Sequence, residues 1–306
     1  MQTNTKTNTN TIHEPVLLDE VLSTLKPKKG ETYLDLTAGY GGHAAAILEK
    51  TEYAPTLLVD RDKNAVTSLE QRFQGKTNVE IKNKDFYGAS VELTNLEHSY
   101  DIILADLGVS SPHLDNAGRG FSITAEGPLD MRMDNTQALS AYDIVNSYEV
   151  GDIAVILKRY GEEPKADKIA RLIVDNRPIE TTTQLAEIVA RAWPGHSRVH
   201  PATRTFQAIR IAVNDELFQL EKSLPLWEHL LAPGGRLAVI SFHSLEDRIV
   251  KQYFKEHSDS YDAALISLTH KPLTAGQSEL VSNPRARSAK LRAVAKINIK
   301  QKDTIG

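Results

Sequence analysis

Cysteine is absent from the 306 residues, which excludes disulfides, thiolate nucleophiles and metal sites built on sulfur. That lack suits a reducing compartment, and the chain is read as cytoplasmic. No apolar run approaches the ~20 residues of a membrane span, and the start of the chain has neither the basic nor the apolar segment of a secretory signal. An excess of positive charge is also missing: 36 Lys and Arg stand against 40 Asp and Glu, a net charge of −4. No global field therefore attracts nucleic acid, and any such contact must come from a local patch. The ten histidines include no His-Glu-x-x-His spacing, so no metal is expected. Residues 1–11 are almost all Thr, Asn and Gln and read as a disordered tail. The rest, with no internal repeat, has the composition of a folded soluble chain.

The stretch Tyr33-Leu-Asp-Leu-Thr-Ala-Gly-Tyr-Gly-Gly-His43 predicts a strand, a tight glycine turn and the start of a helix. That order opens a nucleotide-binding half. Glycine lets backbone come close to a ligand where a Cβ would obstruct it. The spacing Gly39-x-Gly41-x-x-Ala44 also suits a dinucleotide fingerprint, so the turn alone leaves NAD and other adenosine-bearing cofactors open. Further strands are expected at Thr56–Asp60, Val79–Asp85, Tyr100–Leu107, Gly235–His243, Ala264–Thr269 and Leu291–Ile299. Helices are expected at Val16–Leu25, Ala44–Lys50, Asn64–Phe73 and Glu246–Lys255. Such alternation means an α/β fold, a parallel sheet with helices on both faces. Between Leu107 and Arg236 lie 128 residues, far more than a crossover needs. Within them, Ile153, Ile156, Leu157 and Tyr160 form one helical stripe, and Ala166, Ile169, Ala170 and Ile173 another. A third, Leu185, Ile188, Val189 and Ala192, follows the capping-box spacing Thr181-x-x-Gln184. Residues 115–205 therefore read as an inserted helical domain. Residues 12–114 and 206–306 form the sheet domain, re-entered by a long helix from Phe206.

Four expected strand ends carry an acid: Asp35, Asp60, Asp85 and Asp106. Ligands of open α/β sheets sit outside those ends. A strand-end aspartate can also simply cap a loop or helix. Asp35 and Asp106 would repel a pyrophosphate where water is scarce. A ligand with a sulfonium, an ammonium and a ribose diol suits them. Asp60, about twenty residues past the glycines, has the spacing of a ribose-hydroxyl acceptor. The charges thus favour S-adenosylmethionine over NAD, with Asp35, Gly39, Gly41, Gly42 and Asp60 around it.

Five motifs occur together: His13-Glu-Pro-Val-Leu-Leu18, Asp35-x-Thr-x-Gly-x-Gly-Gly-His43, Asp106-Leu-Gly-Val-Ser-Ser-Pro-His-Leu-Asp115, Gly127-Pro-Leu-Asp-Met-Arg-Met-Asp134 and Ser241-Phe-His-Ser-Leu-Glu-Asp-Arg248. In this combination the chain resembles the bacterial ribosomal RNA small subunit methyltransferase H family, also called MraW, over nearly everything beyond the tail. The resemblance implies a Rossmann-like S-adenosylmethionine-dependent methyltransferase sheet, with the insert recognising substrate. It implies methylation of the exocyclic N4 of one cytidine in the decoding region of 16S rRNA, with the small ribosomal subunit as partner. It places the cofactor on Gly41, Gly42, His43, Asp60, Phe86, Asp106 and His113. Some members carry Gln at the position of His113, a swap that keeps a hydrogen bond but not an essential proton transfer.

Cytosine N4 is a poor nucleophile because its lone pair is delocalised into the ring. Asp106, as acceptor of an N4 hydrogen, would localise that pair and help the proton leave. Alignment of N4, methyl carbon and sulfur would supply much of the remaining rate. Many amino-methyltransferases use Asp/Asn-Pro-Pro-Tyr here, whereas Asp106-Leu-Gly-Val lacks the aromatic, so another residue is expected to hold the base. His243 is a candidate proton acceptor or substrate contact; the alternative is that Ser244 and Asp247 merely start a helix. Phe86 would flank adenine, or else pack in the core. Ile188–Asn214 and Leu280–Lys302 contain no acid, so RNA phosphate contacts are expected on Arg198, Arg204, Arg285, Arg287 and Arg292, although such runs are often only a solvated face. The competing readings are a methyltransferase of small molecules or protein, an NAD-dependent oxidoreductase, and a non-enzymatic RNA binder that keeps a cofactor pocket.

Overall fold

The computed structural model describes residues 15–109, 114–195, 199–259 and 262–298. The expected tail, His113 and Arg198 lie outside them. Strands β1 (Tyr33–Asp35), β2 (Thr56–Asp60), β3 (Val79–Asn83), β4 (Tyr100–Asp106), β5 (Leu231–Ser241), β6 (Leu265–Ser267) and β7 (Lys290–Lys296) form one sheet in the order β3-β2-β1-β4-β5-β7-β6. The first five run parallel, and β7 lies antiparallel between β5 and β6. Helices α1 (Leu18–Leu25), α2 (Gly42–Thr51), α3 (Lys63–Arg72) and α4 (Phe86–Asn95) alternate with the early strands. The insert supplies α5 (Ala141–Ser147), α6 (Val150–Gly161), α7 (Ala166–Asp175), α8 (Thr182–Ala190) and α9 (Thr203–Asn214). Then come α10 (Glu216–Leu230), α11 (Ser244–Ser258) and the short α12 (Gln277–Ser282). Among the described residues no helix is long and apolar enough to cross a membrane.

The inner strands bury successive residues because both sheet faces are covered. Tyr33, Leu58, Ile102, Leu104 and Ile240 face a core shared with Val21, Ile47 and Leu69 of α1, α2 and α3. Their neighbours Leu34, Leu57, Val59, Ile103 and Val239 face a second core, closed by Leu93, Trp227 and Phe254 of α4, α10 and α11. From β1 the chain steps outward to β2 and β3, then returns to β4 on the other side of β1. That reversal leaves a crevice at the carboxyl ends of β1 and β4.

Two expectations need correction. β3 stops at Asn83, and Asp85 is the N-cap of α4, its Oδ1 accepting the Gly88 amide at 2.7 Å. The insert also extends further than expected. Its own core joins Ile144, Leu157, Ile169 and Leu185 to Phe206, Ile209 and Val213 of α9. Residue 206 thus lies in the first turn of a helix that packs with the insert, and the chain turns back to the sheet at Asp215, whose φ is 51°. The capping box at Thr181 and Gln184 forms as the spacing predicts.

Candidate active site

A cleft of about 500 Å³ occupies the crevice, roofed by Phe121, Met131, Met133 and Phe206 from the insert. The glycine turn forms one wall. Gly39 (φ 54°) and Gly41 (φ 78°) take left-handed dihedrals that side chains resist. Gly41 caps α2, and a Cβ there would stand 2.9 Å from Leu69 Cδ2 and 3.0 Å from Phe73 Cε2. Its bareness therefore serves the packing of α2 on α3, and the cleft wall is made by Gly39 and Gly42 instead. Asp60 ties this turn to β2: Oδ2 accepts the Gly39 amide and Oδ1 that of Asp62, both at 2.8 Å. Each oxygen keeps a further lone pair, and the side chain lines the cleft, so Asp60 can accept from a diol.

Asp35, expected to touch the ligand, stands behind the wall. It is 1% exposed. Oδ2 accepts the Tyr33 hydroxyl at 2.6 Å and Oδ1 the Thr37 amide at 3.2 Å. It acts on the cleft through charge alone, and burial raises its pKa to about 7. His43 places Nε2 2.8 Å from the Val16 carbonyl. A carbonyl only accepts, so the proton sits on Nε2 and Nδ1 offers a lone pair, 3.7 Å from Asp106 Oδ2. Burial holds this imidazole down to about 4, so the ring is neutral at pH 7. Phe86 packs in the core, its ring meeting Trp227 edge to face at 5.7 Å, and it also lines the cleft.

Asp106 differs from the other three acids. Asp35, Asp60 and Asp85 each hold local backbone or a neighbouring hydroxyl. Asp106 has a buried Oδ1 with no hydrogen-bond partner, while a quarter of its side chain opens to solvent. Burial, then the nearby charges of Asp35 and Glu246, push its carboxyl well above the usual range. An unpartnered acceptor among like charges is costly; a hydrogen donor or a cation relieves it.

The end of β5 also differs from expectation. Helix α11 is capped by His243 rather than Ser244: its Nδ1 accepts the Glu246 amide at 3.3 Å, and Glu246 Oε2 accepts the amides of Phe242 (2.8 Å) and His243 (3.3 Å). His243 Nε2 stands 3.3 Å from Glu246 Oε1, an ion-pair distance without hydrogen-bond alignment. Nδ1 is committed to the Glu246 amide, while Nε2 makes no hydrogen bond and the side chain lines the cleft. Beside it, Arg210 grips both oxygens of Glu216 at 2.9 Å. Glu216, His243 and Glu246 bring ligand-type atoms within 4.8 Å of one another, but the guanidinium already supplies a positive charge there. Sequence reasoning missed this group, since Arg210 and Glu216 lie on separate helices and carry no recognisable spacing.

The expected RNA-binding arginines disperse. Arg285 lines the cleft mouth and pairs with Asp115 at 2.6 Å. Arg287 is exposed, and exposed Arg204 donates to the Glu162 carbonyl at 3.0 Å. Arg292 is not a surface group: β7 is an interior strand, and its guanidinium lies buried 2.7 Å from Asp247, which also takes Lys290 at 3.0 Å.

The family model of the MraW methylases matches residues 10–297. Ribosomal RNA small subunit methyltransferase H of a Synechocystis strain is 46% identical to this chain over 93% of each protein. The protein of the same name from Nitratidesulfovibrio vulgaris (Miyazaki F) is 48% identical over 94% of this chain and 86% of its own length. Among solved structures, an rRNA methylase from Streptococcus thermophilus is 12% identical, covers 92% of this chain and 94% of its own, and has a TM-score of 0.40.

Proposed function

The chain belongs to the MraW methylase family, and from that premise we propose that it transfers a methyl group from S-adenosylmethionine to the exocyclic N4 of a cytidine in the decoding region of 16S rRNA. The observation that carries the reading is Asp106, an acid with an unpartnered oxygen beside a neutral imidazole in the cleft at the strand reversal. Gly39, Gly42 and His43 would hold the methionine end of the cofactor, Asp60 the ribose hydroxyls and Phe86 the adenine. His113, which the family resemblance adds to this set, lies outside the described residues. When bound, the cofactor supplies an electrophilic methyl on a sulfonium. Asp106 accepts one N4 hydrogen, localises the lone pair on nitrogen and takes up the proton as the amine is alkylated. The insert roofs the cleft and excludes water from the exchange.

The test is transfer of labelled methyl into small ribosomal subunits, naked 16S rRNA and lysate protein, followed by digestion of the RNA to nucleosides. Label in N4-methylcytidine supports the reading. Label in protein alone, or in another nucleoside, overturns it.

RNA phosphates are assigned to Arg204, Arg285 and Arg287, and Arg198 is carried with them. Charge reversal at Arg285 and Arg287 together is expected to weaken RNA binding and flatten its salt dependence by about one log–log unit per lost phosphate contact. Cofactor affinity is expected to hold. Binding isotherms between 50 and 200 mM salt, roughly the range over which such contacts show themselves, check this; an unchanged slope removes these arginines from the interface.

A further inference from the structure

Methylation of an amino group on a base requires the base to leave its stack and lie flat while N4 meets the methyl. Single-stranded bases are held most often on aromatic faces. Five aromatic residues line the cleft: Tyr40, Phe86, Phe121, Phe206 and Phe242. Phe86, Phe121 and Phe206 are buried, with 8%, 7% and 5% of their surface exposed, and their rings are already packed in the cores. Tyr40 belongs to the glycine turn, between Gly39 and Gly41 on the cofactor's side. Phe242 is half-buried, packed against the edge of the sheet core with part of its surface open, and stands on the side of Asp106. The register of β4 and β5 pairs Asp106 with Ile240, so Phe242 emerges two residues further on. There it flanks Gly108, where a Cβ would lie 3.5 Å from its Cδ2.

We propose that Phe242 is the platform on which the target cytosine stacks. The inference rests on the RNA-base reading above. It supplies, from just past the end of β5, the aromatic that the chain lacks after Asp106. It also gives the rest of Ser241-Phe-His-Ser-Leu-Glu246 a task. The Phe242 amide donates to Glu246 Oε2 at 2.8 Å, and His243 completes the same capping box. Glu246 and His243 thereby fix the ring's place beside Asp106 and act through it as positioning residues.

The experiment compares Phe242→Leu with Phe242→Trp in methyl transfer to small subunits, alongside cofactor titration and thermal melting of each protein. Leucine fills the site but has no π-face. Its kcat/KM for RNA is expected to fall about 10- to 100-fold, the range of one base–aromatic stack. Tryptophan is expected to stay within about threefold of wild type, because its larger face stacks at least as well. Melting temperature and cofactor affinity are expected to remain near wild type in both. A leucine variant as active as wild type overturns the proposal, as do leucine and tryptophan variants that fall equally. If the wild-type protein labels protein and no RNA, the RNA reading fails and this inference fails with it.

Discussion

Replacing Asp106 by Asn is expected to lower single-turnover methyl transfer by about 10²- to 10⁴-fold, the usual span of a lost acid–base group. The substitution keeps the volume and the backbone bond in which the Asp106 amide donates to Thr37 Oγ1 at 2.6 Å. It removes the charge: the amide oxygen can still accept an N4 hydrogen bond, but the group cannot take up the proton, and its NH₂ only donates. Two further readouts separate this from misfolding. Affinity for S-adenosylmethionine is expected to fall more than affinity for S-adenosylhomocysteine, since only the former carries a sulfonium. Thermal stability of the empty protein at pH 8 is expected to rise, because a carboxyl raised by burial is a burden once ionised. Unaltered transfer together with unaltered cofactor affinity would remove Asp106 from the reaction.

Asp35→Asn is the second large effect, and it falls on stability. Burial raises this carboxyl from its ordinary 3.8 to about 7. The folded protein therefore holds a proton that the unfolded chain has released between those two values. Asp35 contributes fully to stability below about pH 4, and that contribution is lost as pH rises toward 7. Roughly three units at ~1.4 kcal/mol each give an upper bound of about 4 kcal/mol at pH 8. Asparagine can accept from the Thr37 amide and donate to the Tyr33 oxygen, while the buried Tyr33 hydroxyl hydrogen loses its acceptor, which offsets part of the gain. Denaturant unfolding should show the variant more stable than wild type at pH 8, with the difference closing by pH 4. A variant no more stable at pH 8 would show that Asp35 does not carry this burden. The burden has a use: a negative charge behind the wall favours a cationic ligand in front of it, so the variant should also discriminate less between the sulfonium cofactor and its neutral product.

The sheet was legible because its strands are short apolar runs at βα spacing, and such runs have few other homes. Helix α4 was missed although its signals were present: Asp85 stands before Phe86, Ala89 and Leu93, an N-cap ahead of a buried helical face. The runs around it looked like a strand with an acid at its end. The boundary at 206 failed for a different reason. The apolar stripe of α9 reads the same whether it meets the sheet or the insert, and only the fold says that it meets Leu157 and Ile169. The same limit applies in the site. Sequence put Asp35, Gly41 and Arg292 in the right elements, but it cannot say which way each one faces. Asp60, Phe86 and Asp106 line the cleft, but Asp35, also the last residue of its strand, does not, so a strand-end position alone does not dictate direction. The Arg210, Glu216, His243 and Glu246 group is assembled from three helices and a strand end, and no local pattern announces it.

The stretch Leu280–Lys302 contains no acid, yet acids reach it from elsewhere in the fold. Asp115 takes Arg285, Asp247 takes Lys290 and Arg292, and Lys296 donates to the carbonyls of Glu228 and Leu231. A cation already paired with a carboxylate must give up that partner before it can neutralise a phosphate and release the counterions condensed on the RNA. At Arg285 the arriving phosphate would trade places with Asp115, an exposed partner that water can satisfy at little cost. Salt dependence of RNA binding should therefore be far shallower than the number of Lys and Arg in this stretch suggests, with Arg287 contributing a full phosphate's worth and Arg285 only part of one. Most of the described cations of this stretch hold the fold, and on the proposed reading selectivity for RNA falls to the cleft.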